Sequence, residues 1–151
     1  QKAFETIGFA KVATGAYEAK DLGLLKQDDT IIMNRDYLIQ SAKDKALELV
    51  NGYSPPKYND SLKLPGAGGR TAMAMALKSF KLQGKISDHD VKIGARLAYV
   101  LTGGVQAGLT QKVDKQYILD IERQAFVSLA GETLTQDRIK HILKKGIPLR
   151  N

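Results

Sequence analysis

The stretch from Ser87 to Leu101, SDHDVKIGARLAYVL, constrains this chain more than any other. It places Val91, Ile93, Leu97, Ala98, Val100 and Leu101 in one helical run, with only Lys92 and Arg96 as strong polar markers. A helix apolar on most of its sides belongs at the centre of a domain, with other helices around it. Ser87 with Asp90 three residues later is a capping pair for its start, the shorter Asp standing where Glu or Gln is usual. Its neighbours carry the same periodicity. Met73, Leu77 and Phe80 share one face of a helix that begins after Gly69 and that Gly84 closes. Tyr117, Ile118, Ile121, Ala125, Phe126 and Leu129 define the next helix, and Ile139, Ile142 and Leu143 the last.

Upstream, Phe4, Ile7 and Val12 fall at helical spacing, and Leu38, Ile39, Ala42, Ala46, Leu49 and Val50 do so more cleanly. Asp36 is the expected N-cap of this second helix and Gly52 its end. The run from Thr30 to Met33 is β-like. The SLKLP segment alternates and is a second candidate strand, expected to pair with it. Between them, adjacent Pro55 and Pro56 forbid helix, so the stretch from Tyr53 to Asp60 is the best linker. The expected partition is residues 1–52, a linker over 53–68, and a helical domain over 69–151, with no internal repeat. The fold class is mainly α, with at most one short β ribbon.

At 151 residues and 43% hydrophobic content, the chain can build a core without metal or disulfide. It has no Cys, which rules out thiolate metal sites and fits a reducing compartment. No apolar run approaches the roughly 20 residues needed to span a bilayer. The net charge of +7 is unevenly placed: residues 1–52 hold 7 Lys/Arg and 8 Asp/Glu, a balance of −1, and residues 53–151 the remaining 16 and 8, a balance of +8. A basic half points to polyanions such as nucleic acid, an anionic membrane surface or the phosphates of coenzyme A, or to a solubilising face carrying Lys140, Lys144 and Lys145.

Few residues suggest chemistry. Glycines in PGAGGRTA could expose amides to a phosphate, but a dinucleotide fingerprint through Gly66 and Gly68 needs a small residue where Thr71 stands, and Arg70 replaces the lysine of a phosphate loop. A flexible turn before a helix is the simpler reading. His89 and His141 are the only histidines, and with no Cys and no His pair one turn apart, no zinc site is expected. His89, between Asp88 and Asp90, suits a capping or surface role. Glu122 beside Arg123, and Asp137 beside Arg138, look like helix-surface charge pairs.

The last thirty residues contain ERQAFVSLAG and then TQDRIKHILKKGIPLRN: a helix ending at Gly, a cap at Thr135, a short basic helix and a Gly-Ile-Pro-Leu-Arg tail. This string resembles the carboxy terminus of bacterial multifunctional 3-hydroxyacyl-CoA dehydrogenases, β-oxidation proteins that also carry an enoyl-CoA hydratase (crotonase) module. The opening AFETIGFAKVATGAYEAKDLGLL resembles the part of a crotonase module after its second catalytic segment. ISDHDVKIGARLAYVLTGG and QYILDIERQAFVSL resemble the helical extension beyond it, and residues 58–70 match least. The resemblance implies the closing helices of a crotonase module plus a helical extension. It places the two hydratase glutamates, the oxyanion amides, the NAD-binding Rossmann domain and the catalytic His–Glu pair upstream of this sequence. No catalytic, cofactor-binding or metal-ligating residue is therefore assigned here, and NAD is expected in the parent. Gln1 in place of an initiator Met, with no leader after it, fits a piece of a larger cytoplasmic enzyme. Its expected partners are the parent's other domains, acyl-CoA at a rim, and a second copy through apolar faces of the first two helices; a membrane is not expected. A helical nucleic-acid-binding module is the alternative, disfavoured because Lys and Arg are scattered without aromatic interleaving.

Overall fold

The structure, a computed structural model, describes residues 1–57 and 60–151. The expected linker over 53–68 includes Tyr58 and Asn59, which lie outside the described residues. Among the described residues the fold is mainly α: α1 (Lys2–Gly8), α2 (Ala16–Leu22), a 3₁₀ turn (Arg35–Tyr37), α3 (Leu38–Val50), β1 (Ser61–Lys63), α4 (Gly66–Leu82), α5 (Asp88–Leu101), β2 (Lys112–Asp114), α6 (Lys115–Ala130) and α7 (Thr133–Lys145). These elements form two compact units, Gln1–Phe9 with Asn59–Asn151, and Ala10–Tyr58.

In the larger unit α5 is central, as its composition requires, and packs on α1, α4 and α6. The capping box at its start is complete: the Asp90 amide donates to Ser87 Oγ at 3.1 Å and the Ser87 amide to Asp90 Oδ2 at 2.9 Å. The core cluster joins Phe4, Leu77 and Ala98, with Met73, Ile86, Leu97 and Leu101 packed against it. Phe4 of α1 is buried in this cluster, so Gln1–Phe9 belongs to the larger unit, whereas the sequence grouped it with residues 1–52. Helix α5 can approach α4 closely because residue 94 is Gly: a Cβ there would lie 2.5 Å from Leu77 Cδ2. Phe9 and Phe80 meet edge to face at a centroid separation of 5.2 Å, in the T-shaped geometry aromatic pairs favour.

The β-like run Thr30–Met33 is not a strand, and β1 does not pair with it. Instead β1 pairs antiparallel with β2, in the register Ser61↔Asp114, Leu62↔Val113 and Lys63↔Lys112. The choice follows from burial, since Leu62 lies opposite the buried Val113 and the two present one apolar face to the same unit. Asp114 then caps α6, its carboxylate accepting from the Gln116 amide at 2.5 Å. Along α6, Ile121 is buried as expected, whereas Phe126, expected on the same face, is 67% exposed. Glu132, not Thr135, occupies the N-cap position of α7.

In the smaller unit, Glu18 gathers the Thr14 amide and hydroxyl at 2.7 and 2.6 Å, fixing the entry to α2. The cap expected of Asp36 is supplied by Asn34, whose Oδ1 accepts from the Asp36 amide at 3.0 Å, because a 3₁₀ turn intervenes before α3. No residue of α3 is buried, and Ala46, Leu49 and Val50 line an open apolar groove with Tyr53.

The core assignment gives a paired expectation. Leu77→Ala should cost about 2–5 kcal/mol, the range for emptying a packed leucine site. Leu143→Ala, at a side chain 80% exposed, should fall within about 0.5 kcal/mol of the parent. Urea denaturation of the two variants checks the contrast.

Candidate functional site

The densest polar cluster lies where the first turn of α5 meets α7 and the chain's last residues. Arg138 Nη1 donates to Asp90 Oδ1 at 2.6 Å, its Nη2 to Ser87 Oγ at 3.4 Å and to the Asn151 carbonyl at 3.0 Å, and its Nε to Asn151 Oδ1 at 2.7 Å. Asn151 Nδ2 donates onward to the Leu134 carbonyl at 3.2 Å. One residue along α5, His89 is buried, with Nε2 2.9 Å from Thr135 Oγ1. Thus Thr135, expected to cap, serves an interhelical hydrogen bond, and His89, expected at the surface, is internal. Lys92 pairs with Glu132 at 2.5 Å, a third link between α5 and the α7 start. Lys81 pairs with Asp88 at the α4–α5 corner.

The chemistry available here is limited by how completely these groups are used. Both Asp90 oxygens are engaged, one by Arg138 and one by the Ser87 amide. Burial pushes the Asp90 carboxyl up, but the Ser87 amide and the Arg138 guanidinium outweigh it, and the net displacement is below the ordinary carboxylate value. Such a carboxylate is a weak base, with each oxygen already accepting a hydrogen bond. The Lys92 ammonium holds Glu132 below its usual value as well, its hydrogen bond outweighing desolvation. Among the described residues no buried side-chain nitrogen or oxygen lacks a partner, and no cluster of His, Asp or Glu is arranged for a metal.

The expected surface pair Asp137–Arg138 is replaced by Arg138–Asp90, because adjacent helical residues point about 100° apart while Asp90 faces Arg138 across the helix interface. Glu122 and Arg123 form no ion pair among the described residues. Lys140, Lys144 and Lys145 are exposed, and His141 is half-buried.

The glycine-rich segment is not a turn ahead of a helix; it is the first turn of α4 itself. Gly66 has φ +59°, its amide donates to the Thr102 carbonyl at 3.0 Å, and a Cβ would lie 2.5 Å from the Ala107 carbonyl oxygen. A Cβ on Gly69 would lie 2.7 Å from the Pro65 ring. Arg70 donates to the Gly104 carbonyl at 2.9 Å and lies 5.7 Å from the centre of the Tyr99 ring, a cation–π distance. The glycines therefore admit the 102–108 loop against α4. This arrangement does not fit a dinucleotide pyrophosphate, because the first amide is already bonded and β1 belongs to an antiparallel ribbon instead of a parallel sheet.

Over an alignment of 151 positions that covers 99% of its length, the chain is 45% identical to a Bacillus subtilis (strain 168) protein named "Probable 3-hydroxyacyl-CoA dehydrogenase", and it spans 19% of that protein. No family profile matches the chain. No solved structure matches it. Among the described residues, no helix is long and apolar enough to cross a membrane.

Two expectations follow. A carboxyl whose folded pKa is depressed adds stability that is fully present above its unfolded value, about 4, and is lost as pH falls through the folded value. Asp90→Asn should therefore cost roughly 1–3 kcal/mol at pH 7, the scale of charge-assisted hydrogen bonds, and less below pH 4; denaturant titrations at both pH values read the difference, and a constant gap would contradict the assignment. Gly66→Ala should destabilise more than an exposed Gly68→Ala. Only at residue 66 does the added methyl meet a backbone oxygen and a left-handed φ, and thermal melts of the two variants provide the ranking.

Proposed function

We propose that this chain is a helical portion of a 3-hydroxyacyl-CoA dehydrogenase, serving packing and assembly instead of bond-making. The observation that carries the reading is the 45% identity along 99% of the chain to a protein of that name. Because the chain covers only 19% of that relative, the dehydrogenase activity itself, its NAD and its 3-hydroxyacyl-CoA substrate are assigned to the remainder of the enzyme. The non-catalytic role is supported by the polar groups at the α5–α7 junction, which are engaged with one another and with backbone instead of facing an open cleft.

The finer proposal follows the resemblance in the sequence. Residues 1–52 are proposed as closing helices of an enoyl-CoA hydratase module, residues 53–68 as the connection and residues 69–151 as the helical extension, in an enzyme of fatty-acid β-oxidation working in the cytoplasm. The remaining domains are the proposed partners, with acyl-CoA at a rim. A second copy is a further proposed partner through the open face of α3, where Ile39 is 84% exposed. Against the nucleic-acid alternative, Arg70 and Arg138 of the basic half are turned onto protein acceptors.

Two measurements test the reading. The purified chain should neither oxidise a 3-hydroxyacyl-CoA with NAD nor hydrate crotonyl-CoA; turnover abolished by a point substitution in this chain would sink the non-catalytic role. In the full-length enzyme, Arg138→Leu should lower the melting temperature and leave kcat per folded molecule unchanged. A fall in kcat with unchanged melting temperature would place Arg138 in the chemistry.

A further inference from the structure

The β1–β2 ribbon carries an arrangement that folding alone does not favour. Its register sets Lys63 directly opposite Lys112. Directly opposed residues of an antiparallel pair have Cβ atoms about 4.5–5.5 Å apart, and like charges so placed are destabilising. Both lysines are exposed, and neither forms an ion pair among the described residues. Asp114, on the same ribbon face, accepts from the amide of Gln116 at the start of α6 through Oδ1.

The ribbon cannot relieve this repulsion by slipping or turning over. Leu62 and Val113 form its other face, and Val113 is buried. A one-residue slip would bring the lysines inward and the apolar pair out. Beyond the last pair, the Lys115 amide donates to the Asp60 carbonyl at 2.8 Å and pins the register from that end. A ribbon of three pairs is the element least able to absorb a repulsive contact. Two exposed lysines rooted opposite each other can, however, bring both ammonium groups to one tetrahedral oxyanion, whose binding turns mutual repulsion into attraction on both sides.

We propose that the exposed face of this ribbon binds a phosphate group between Lys63 and Lys112. The ligand class is a free phosphate or a soluble phosphate monoester. Recognition is by side-chain ammonium groups and is separate from the α4 amides, the first of which is already bonded to Thr102. The proposal stands independently of the dehydrogenase reading, because it rests only on register, burial and charge.

The test uses the whole chain, with inorganic phosphate as the probe and sodium chloride matched in ionic strength as the reference. Phosphate should raise Tm beyond the chloride reference and shift the backbone amide resonances of Lys63 and Lys112. Lys112→Glu, which puts an opposite charge across from Lys63, should raise Tm without phosphate and lose the phosphate-dependent shift. Lys63→Gln and Lys112→Gln should lose that shift too, so a folding failure in one variant leaves the others decisive. Lys145→Gln, on the exposed end of α7, should retain it. Equal stabilisation by chloride, or a full phosphate response in both Gln variants, would overturn the site. Coenzyme A and anionic phospholipid vesicles distinguish the sources: coenzyme A competing with phosphate extends the ligand to a soluble monoester, whereas binding to vesicles with none to free phosphate would overturn the proposal.

Discussion

The close approach of α5 to its neighbours is the constraint on which the larger unit depends. Gly94 removes the one side-chain atom that would collide with Leu77, and Ala98 keeps the next turn narrow. Phe4 can then close the same cluster from α1. A methyl on residue 94 would have to displace a buried leucine, and overpacking of that kind costs about 1–3 kcal/mol. Small residues on α5 and large ones on α1 and α4 are therefore complementary halves of one packing solution. At the C-terminal end of α5 the same principle recurs, where Gly103 leaves room for Ala107 and Leu64, and Gly104 for Tyr117 and Ile121 of α6.

The polar contacts act on this frame unequally. Asp90 and Arg138 have side chains only 21% and 16% exposed, and each also bonds to neutral partners. Removing one member would leave the other partly buried and short of a partner, a loss of roughly 1–3 kcal/mol that exceeds the fraction of a kcal/mol typical at a surface. Lys45–Glu48 on α3, at 46% and 67% exposed, belongs to the second class. The fixing of α7 onto α5 thus depends on Arg138, with His89–Thr135 and Lys92–Glu132 along the same seam.

How much of this was legible in the sequence depends on the range of each interaction. Local signals read correctly: the Ser87–Asp90 box, the central position of α5 and the shared face of Met73, Leu77 and Phe80 all depend on residues within a few turns of one another. Long-range partners did not. Nothing local tells Arg138 to choose Asp90 over adjacent Asp137, or Ser61–Lys63 to pair with 112–114 instead of 30–33. Burial decided the second case through Val113, whose neighbours Lys112 and Asp114 disguised it as an isolated apolar residue. The glycine-rich segment misled for a different reason. Glycine signals close backbone approach, and sequence cannot say whether the approaching group is a phosphate or, as here, the carbonyl of Ala107.

Helix α3 poses the complementary problem. Its 13 residues include none that are buried, and Ile39, Leu47, Leu49 and Val50 are largely exposed. Isolated helices shorter than about 12–15 residues are marginal in water, and most helical stability in proteins comes from packing an apolar face. The ion pair Lys45–Glu48 and the Gln40–Asp44 hydrogen bond contribute on the order of 0.2–0.5 kcal/mol each, too little to replace that packing. The periodicity that makes α3 a helix is therefore a periodicity for contact with another surface. Under the proposed reading, that surface belongs to the rest of the enzyme or to a second copy. Under that reading the sequence of α3 is shaped by binding as much as by folding, while α5 answers to the core and to the seam with α7.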